Sequence, residues 1–203
     1  MEIIKISPKG FGANSYILTS DGKNAVVIDP SSERVFDKCL ESNLVPAYVL
    51  LTHCHFDHTL AVALFQANGA KVVCLDKEEK NFNSGVDLYE YFGAPKTPFT
   101  IDETVADGEV RTLADIPFLV RSTPGHTTGS ACYIVESERA LFTGDTLFAG
   151  TIGRTDFPTG SMSSLRESLR SLGKLQGDYT VYAGHNEDTT LDAERKSNPF
   201  LLF

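Results

Sequence analysis

The segment that most constrains the fold is an apolar run followed at once by a cluster of metal-binding side chains. Residues 48–51 read YVLL, which is typical of a strand buried on both faces. Residues 52–58 then read THCHFDH. A turn at the carboxyl end of a strand directs alternate side chains at one place. Because imidazole and carboxylate are the usual ligands of a divalent cation such as zinc, this segment predicts a metal site.

The chain repeats this arrangement of an apolar strand, a small residue and then a histidine or an aspartate. His126 follows residues 118–121 and a TPG turn, Asp145 follows residues 140–144, and His185 follows residues 181–184. Ligands at the carboxyl ends of several strands converge on one rim of a fold. The candidate ligands are therefore all five histidines and two aspartates: His53, His55, Asp57, His58, His126, Asp145 and His185.

Seven ligating groups exceed the needs of one tetrahedral cation and suit two divalent cations roughly 3.5–4 Å apart. Zinc is the expected metal, and iron and manganese accept the same donors. A water molecule between two cations has a pKa near neutrality. It supplies a hydroxide that Asp57 and Asp145 orient, while the metals stabilise the oxyanion. The sequence predicts a metal-dependent hydrolase without a side-chain nucleophile, and Cys54, between two ligands, is expected to point away from the metals.

Short β-branched runs alternate with helical patterns, and no linker or low-complexity segment divides the 203 residues. We therefore expect residues 1–203 to form one domain. The predicted strands cover residues 3–7, 15–19, 25–29, 48–51, 72–75, 110–113, 118–121, 131–135, 140–142 and 179–183. The predicted helices cover residues 35–42, 59–67, 163–175 and 189–196, with part of 76–92. Two strand-rich blocks, each with helices, indicate two packed sheets with helices outside.

The charge and composition disfavour several classes of partner. With 18 basic and 27 acidic side chains the formal net charge is −9, which opposes binding to nucleic acid and to anionic lipid. The sequence has no apolar run of transmembrane length and no N-terminal secretory pattern. Its four cysteines form no C-x-x-C pair, so we expect reduced thiols. We predict a cytoplasmic protein that acts on a small molecule, with no nucleic-acid or membrane partner and an oligomeric state left open.

These segments resemble the metallo-β-lactamase superfamily, whose T-H-x-H-x-D-H signature corresponds to residues 52–58. Within it the chain is most similar to the short glyoxalase-II-like (hydroxyacylglutathione hydrolase-like) branch. The shared features extend over nearly the whole chain, at residues 14–16, 27–30, 123–127, 142–148, 153–156, 182–185 and 189–200. The resemblance implies an α/β fold, an αββα sandwich of two mixed β-sheets flanked by helices, with the site at one edge.

The resemblance also implies how the ligands divide between two metals. His53, His55 and His126 would hold the first metal, Asp57, His58 and His185 the second, and Asp145 would bridge them. The implied activity is that of a glyoxalase-II-type thioesterase, acting on 2-hydroxyacyl-glutathione or a related thioester. Class B β-lactamases lack this full ligand set, so β-lactams are not the expected substrates.

Two departures from the branch leave the thiol carrier open. Eighteen residues follow His185, whereas longer glyoxalase II enzymes carry a C-terminal helical domain that binds glutathione, and we expect no such domain here. Asn186 stands where many relatives of the short branch have glycine. By the same resemblance, Phe11 and residues 76–92 border the substrate cleft.

Alternatives remain for one side chain and for the reaction. Arg154 recognises an anionic substrate group through its planar guanidinium, with Asp156 beside it, or forms an ion pair with Asp156 or another carboxylate that shapes the loop, and both roles could hold together. Persulfide dioxygenases share the fold and resemble residues 52–55 and 153–157; the resemblance would place one iron on His53, His126 and Asp145. Hydrolysis of a lactone or another ester uses the same dinuclear chemistry. A purely structural metal role is disfavoured, because structural zinc sites are closed and rich in cysteine.

Overall fold

The computed structural model describes residues 1–10, 12–82 and 84–202. The strands are β1 (Glu2–Ile6), β2 (Ser15–Thr19), β3 (Asn24–Ile28), β4 (Val45–Leu51), β5 (Lys71–Leu75), β6 (Glu103–Val105), β7 (Val110–Leu113), β8 (Ile116–Ser122), β9 (Ala131–Val135), β10 (Ala140–Gly144), β11 (Leu147–Phe148), β12 (Thr151–Ile152), β13 (Thr180–Ala183) and β14 (Thr189–Thr190). The helices are α1 (Glu33–Glu41), α2 (Phe56–Thr59), α3 (Val62–Ala67), α4 (Asp76–Glu79), α5 (Tyr89–Phe92), α6 (Met162–Gly173) and α7 (Leu191–Ser197). Within the described ranges, no helix is long and apolar enough to cross a bilayer.

Most of the strands form two six-stranded sheets. The first has the order β1-β2-β3-β4-β5-β6, antiparallel through β3 and parallel from β3 to β6. The second has the order β14-β13-β10-β9-β8-β7, in which only the β10–β13 pair is parallel. Strands β11 and β12 form a separate hairpin. Both large sheets are therefore mixed.

Alternation of side chains along the strands builds the layers. On β3, Val27 packs toward α1 and α3, whereas Val26 faces the second sheet. The leucines Leu165, Leu169 and Leu172 of α6 cover the outer face of the second sheet. Apolar side chains thus fill three interfaces: helix on sheet, sheet on sheet, and sheet on helix. The predicted αββα sandwich is confirmed.

All four helices predicted with bounds differ from the structure. The ends of α1 (Glu33–Glu41 against 35–42) and α6 (Met162–Gly173 against 163–175) shift by one or two residues, and the other two helices change more. The helix expected over residues 59–67 is split into α2 and α3, because Ala61 leaves the helical region at φ −105° and ψ 1°. The last helix begins at Leu191 rather than at Thr189, because Thr189 pairs with Val181 of β13. The Thr190 hydroxyl then accepts the Ala193 N–H and caps α7. The break before α3 leaves α2 as a single turn that presents two of the predicted ligands.

Candidate metal centre

The ligand-bearing turns all leave one edge of the sandwich. Strands β8 and β10 are each antiparallel to β9, and β13 is parallel to β10, so β8, β10 and β13 run in the same direction. Strand β4 of the first sheet ends beside them. The Tyr133 hydroxyl donates to the Leu51 carbonyl oxygen over 2.7 Å, and the Ala131 N–H donates to the Thr52 carbonyl oxygen over 2.9 Å. These bonds join the end of β4 to the second sheet.

Three ring nitrogens converge in the first group of ligands. His55 Nδ1 lies 3.1 Å from His53 Nε2 and 2.8 Å from His126 Nε2, and all three side chains are buried. The orientation of His126 is fixed, because its Nδ1 donates to the Arg154 carbonyl oxygen over 2.7 Å. A carbonyl only accepts, so this bond places a hydrogen on Nδ1 and directs Nε2 toward the ring of His55. His53, His55 and His126 form one arrangement able to hold a cation.

A second group lies directly beside the first. Asp57, His58 and His185 place their donor atoms within reach of one cation, and His185 Nε2 lies 3.2 Å from Asp57 Oδ2. Asp145 stands between the groups. Its Oδ1 lies 3.2 Å from His58 Nε2, and its Oδ2 lies 3.4 Å from His126 Nε2 and 3.5 Å from His185 Nε2. The fold therefore brings all seven predicted ligands to one place.

Asp29, at the end of β3, orients two of these histidines, and the sequence reasoning assigned it no function. Its Oδ2 accepts His58 Nδ1–H over 2.8 Å and the Thr52 hydroxyl over 2.6 Å. Since the Thr52 proton points to Asp29, the Thr52 oxygen accepts His53 Nδ1–H over 3.1 Å. Both rings then direct their Nε2 atoms into the site. Such carboxylate partners raise the basicity of a ligand and fix its tautomer.

The electrostatics of the centre favour metal binding. Burial and the neighbouring histidines lower the pKa of His53, and burial lowers the pKa of His55 to about 3. Both rings are therefore neutral at pH 7. Burial alone would raise the pKa of Asp145, yet His58 and His126 hold that pKa well below its usual value. Neutral imidazoles and an ionised carboxylate are the protonation states that a metal requires of its ligands.

The contact between His58 and Asp145 independently tests whether these residues fit a bound cation. Within the described part of the chain, His58 Nε2 and Asp145 Oδ1 are buried and have no hydrogen-bond partner. They lie 3.2 Å apart. Because His58 Nδ1 donates to Asp29, a neutral His58 ring turns a lone pair toward a carboxylate oxygen. Burial would lower the pKa of His58, but Asp145, Asp29 and Asp57 raise it well above its usual value. The three carboxylates thus stabilise positive charge at this point of the site, and a bound cation would supply such a charge.

Glu78 is a buried carboxylate that links the two histidine loops. It accepts the Cys54 N–H over 2.8 Å and the Thr127 hydroxyl over 2.9 Å through Oε1, and the Asn81 amide over 2.6 Å through Oε2. Burial raises its pKa above the usual value. In sequence, nothing separates Glu78 from the other acidic residues of the segment 76–92. The Cys54 side chain packs in the apolar core between the first sheet and its helices, in agreement with the expectation that it points away from the ligands.

We expect Glu78→Ala to lower the free energy of unfolding by about 3 kcal/mol, because three buried donors lose their acceptor. Metal occupancy should fall with it, since the loops carrying His55 and His126 lose their common anchor. Denaturant titration and elemental analysis measure both effects. Glu78→Gln keeps an acceptor and should restore most of the stability, and Glu79→Ala is the matched control because Glu79 is exposed. Equal losses in Glu78→Ala and Glu79→Ala would contradict the role given to Glu78.

A cleft of about 490 Å³ opens over the ligands. One end is formed by the candidate ligands, and the walls are mostly apolar. Residues 88 and 92 line it, so the segment 76–92 does border the cleft; Phe11 lies outside the described residues. Asn186 also lines it and has a φ of +66°. Asparagine tolerates this left-handed conformation better than most residues, so Asn186 fits a position that also suits glycine.

The contacts of Arg154 support one of its two predicted roles. Its Nε and Nη2 donate to Asp156 Oδ1 and Oδ2, each over 2.6 Å, and its guanidinium carbon lies 3.8 Å from the centre of the Phe157 ring. Its carbonyl oxygen also holds His126 in place. Arg154 thus forms the ion pair with Asp156, in which both side chains are more than half exposed; recognition of an anionic substrate group stays a prediction.

A sandwich of two mixed sheets, with histidines and carboxylates gathered at one rim, defines a metal-dependent hydrolase. The sequence profile of the Metallo-beta-lactamase superfamily matches residues 8–185. The chain belongs to this superfamily, as the motifs at the rim predicted.

Individual relatives match along the whole chain. Hydroxyacylglutathione hydrolase GloC of Haemophilus influenzae is 37% identical over 212 aligned positions, covering 99% of this chain and 97% of GloC. The crystal structure of BLEG-1, a B3 metallo-beta-lactamase, superimposes with a TM-score of 0.92 at 32% identity and covers 100% of both chains. TTHA1623 in a di-iron-bound form gives a TM-score of 0.87 at 30% identity, covering 98% of this chain and 100% of that one. The predicted resemblance is confirmed over the full length of these proteins.

Proposed function

We propose that the protein hydrolyses thioesters at a centre of two divalent cations. His53, His55 and His126 would hold one cation, and Asp57, His58 and His185 the other. The observation that carries the proposal is the position of Asp145, whose two oxygens face histidines of both groups within 3.2–3.5 Å. A carboxylate in that place suits a bridge between two cations better than a ligand of one.

In this proposal the cations and the side chains have different roles in the reaction. Two divalent cations supply Lewis acidity for an acyl carbonyl and lower the pKa of a water molecule. Asp57 and Asp145 accept hydrogen bonds from the attacking water and orient it toward the acyl carbon. Addition of one water to that carbon and rupture of the C–S bond give a carboxylic acid and a thiol, so no protein nucleophile is consumed.

The substrate class and the metal are part of the same proposal. The similarity to a protein named hydroxyacylglutathione hydrolase supports a 2-hydroxyacyl thioester or a related acyl compound. The histidine and carboxylate donors suit zinc, and a di-iron form of a relative supports iron as well. We propose that the chain acts as a single domain on a small molecule in the cytoplasm, without a nucleic-acid or membrane partner.

The test is hydrolysis by purified protein of known metal content. Samples stripped with a chelator and reloaded with zinc, iron or manganese are offered S-lactoylglutathione and a neutral acyl thioester, and the released thiol is titrated. We expect turnover with about two metals per chain and its loss in the stripped protein. No thioester hydrolysis with any of the three metals would overturn the proposal.

The same samples decide between the proposal and its alternatives. A single iron per chain with oxygen uptake on glutathione persulfide would indicate a persulfide dioxygenase instead. Hydrolysis of lactones or simple esters without hydrolysis of thioesters would retain the dinuclear centre and change the substrate. A chromogenic β-lactam is included because BLEG-1 is a B3 metallo-beta-lactamase; hydrolysis of that compound alone would assign the β-lactam as substrate.

A further inference from the structure

Four aromatic rings form one continuous wall beside the candidate metal centre. The rings of Phe56 and Phe92 lie 5.0 Å apart, those of Tyr91 and Phe92 5.0 Å, those of Tyr91 and Phe157 5.8 Å, and those of Phe92 and Phe157 5.9 Å. We call these four residues the aromatic wall. They come from three separate segments of the chain, so their meeting is a product of the fold.

The aromatic wall starts at the ligands and ends in solvent. The Phe157 ring lies 5.9 Å from the ring of His55, at the floor of the cleft. At the other end Tyr91 is 72% exposed and Phe92 50% exposed. Contiguous exposed apolar side chains at the rim of a cleft are typical of ligand-binding surfaces. The adjoining cleft walls are also apolar, with Leu88, Phe148 and Ile152 facing the same space.

The charges around the cleft limit which substrates can bind at the aromatic wall. Apart from the candidate ligands, Arg154 is the one charged side chain among the described residues that line it. Its guanidinium is held by both oxygens of Asp156 and stacks on Phe157. The nearby Lys96 is 2.5 Å from Asp87. With a formal net charge of −9 on the chain, the described lining of the cleft offers the carboxylates of a thiol such as glutathione one cation, Arg154, which Asp156 already pairs.

We infer that the aromatic wall is the specificity site for an uncharged, aromatic acyl group on the thioester substrate. This inference rests on the proposed function and narrows its substrate class. The acyl carbonyl would lie at the ligands and the aromatic ring of the substrate against Phe92 and Phe157. Aromatic rings favour offset or edge-to-face contacts with such a surface, and burial of the ring removes apolar area from water.

The first test compares hydrolysis of two neutral thioesters of N-acetylcysteamine, one phenylacetyl and one acetyl. For the unmodified protein we expect kcat/KM to be at least 10-fold higher for the phenylacetyl compound. The double variant Tyr91→Ala/Phe92→Ala should lose most of that preference, measured as the ratio of the two kcat/KM values. Val110→Ala is the matched control, because Val110 is 63% exposed and does not line the cleft. Equal loss for both substrates, or a preference for S-lactoylglutathione over the phenylacetyl thioester, would overturn the inference.

A binding measurement separates this inference from the proposed function. Ketone analogues, in which a methylene replaces the thioester sulfur, cannot be hydrolysed, and their dissociation constants are measured by calorimetry on the metal-loaded protein. We expect the phenylacetyl analogue to bind at least 10-fold more tightly than the acetyl analogue, and the double variant to remove the difference. Discrimination in binding without hydrolysis of either thioester would refute the proposed function and retain the aromatic subsite. Hydrolysis of both thioesters without discrimination would refute the subsite alone.

Discussion

Asp145→Asn is expected to lower kcat/KM for a thioester by about 10³-fold, which corresponds to about 4 kcal/mol of transition-state stabilisation. The amide has nearly the size of the carboxylate, but it carries no charge and offers one acceptor oxygen in place of two. The oxygens of Asp145 face His58 on one side and His126 and His185 on the other. Replacement therefore removes the negative charge that lies between the two sets of ligands, and metal content should fall from two per chain toward one.

Elemental analysis and steady-state kinetics on the same preparation test this prediction. Asp37→Asn is the matched control, because Asp37 is exposed on α1 and lies outside the site. Circular dichroism establishes that both variants are folded. A folded Asp145→Asn protein that binds two metals and keeps its turnover would refute the assignment of Asp145 as the bridging carboxylate.

Gly184→Ala is expected to reduce kcat/KM by at least 10²-fold in a protein that still folds. Gly184 joins β13 to His185, and its N–H donates to the Gly144 carbonyl oxygen over 2.8 Å. A β-carbon at this position would press on Asp145 Oδ1 and lie 2.8 Å from His58 Cε1. A single methyl group would therefore displace the central carboxylate or the end of β13. A shift of about 1 Å in a catalytic group costs on the order of 10²-fold in rate.

Gly173→Ala separates this steric effect from the general cost of replacing a glycine. A β-carbon on Gly173 would meet one flexible side-chain atom, Leu201 Cδ2, at 3.2 Å, so activity and metal content should change less than 2-fold. A crystal structure of the Gly184→Ala protein would show whether Asp145 or the end of β13 moves. Full activity in Gly184→Ala would contradict the proposed centre, because the activity of that centre depends on the positions of Asp145 and His58.

The predicted sheets and helices agree with the structure wherever periodicity was strong. The strands around Val26 and Val27 and the leucine face of α6 follow directly from alternation and helical spacing. The predicted bounds were wrong where tertiary contacts outweighed the local preference for helix. Residues 189–190 satisfy their backbone groups by pairing with β13 instead of starting a helix. The turn α2, which carries Asp57 and His58, ends before α3 begins. These two neighbouring residues both direct their side chains into the site.

The residues that support the centre were harder to predict than its ligands. The ligands follow a repeated pattern of strand, small residue and histidine or aspartate, which is visible in one dimension. Asp29 and Glu78 act through hydrogen bonds to residues 23 to 49 positions away in sequence. No local pattern distinguishes them from other acidic residues, because what makes them important is the buried position that the fold gives them.

The sequence by itself determined the type of chemistry. Histidine and carboxylate side chains are cation ligands, and their repeated position after apolar strands indicated a metal site before the fold was known. Only the tertiary structure decided how that chemistry is arranged. The parallel course of β8, β10 and β13 brings distant ligands within 3.5 Å of one another. The fold also brings Phe56, Phe92 and Phe157, which come from three separate segments, into contact. Packing and charge at one rim depend on distances between segments, and such distances are set by the fold.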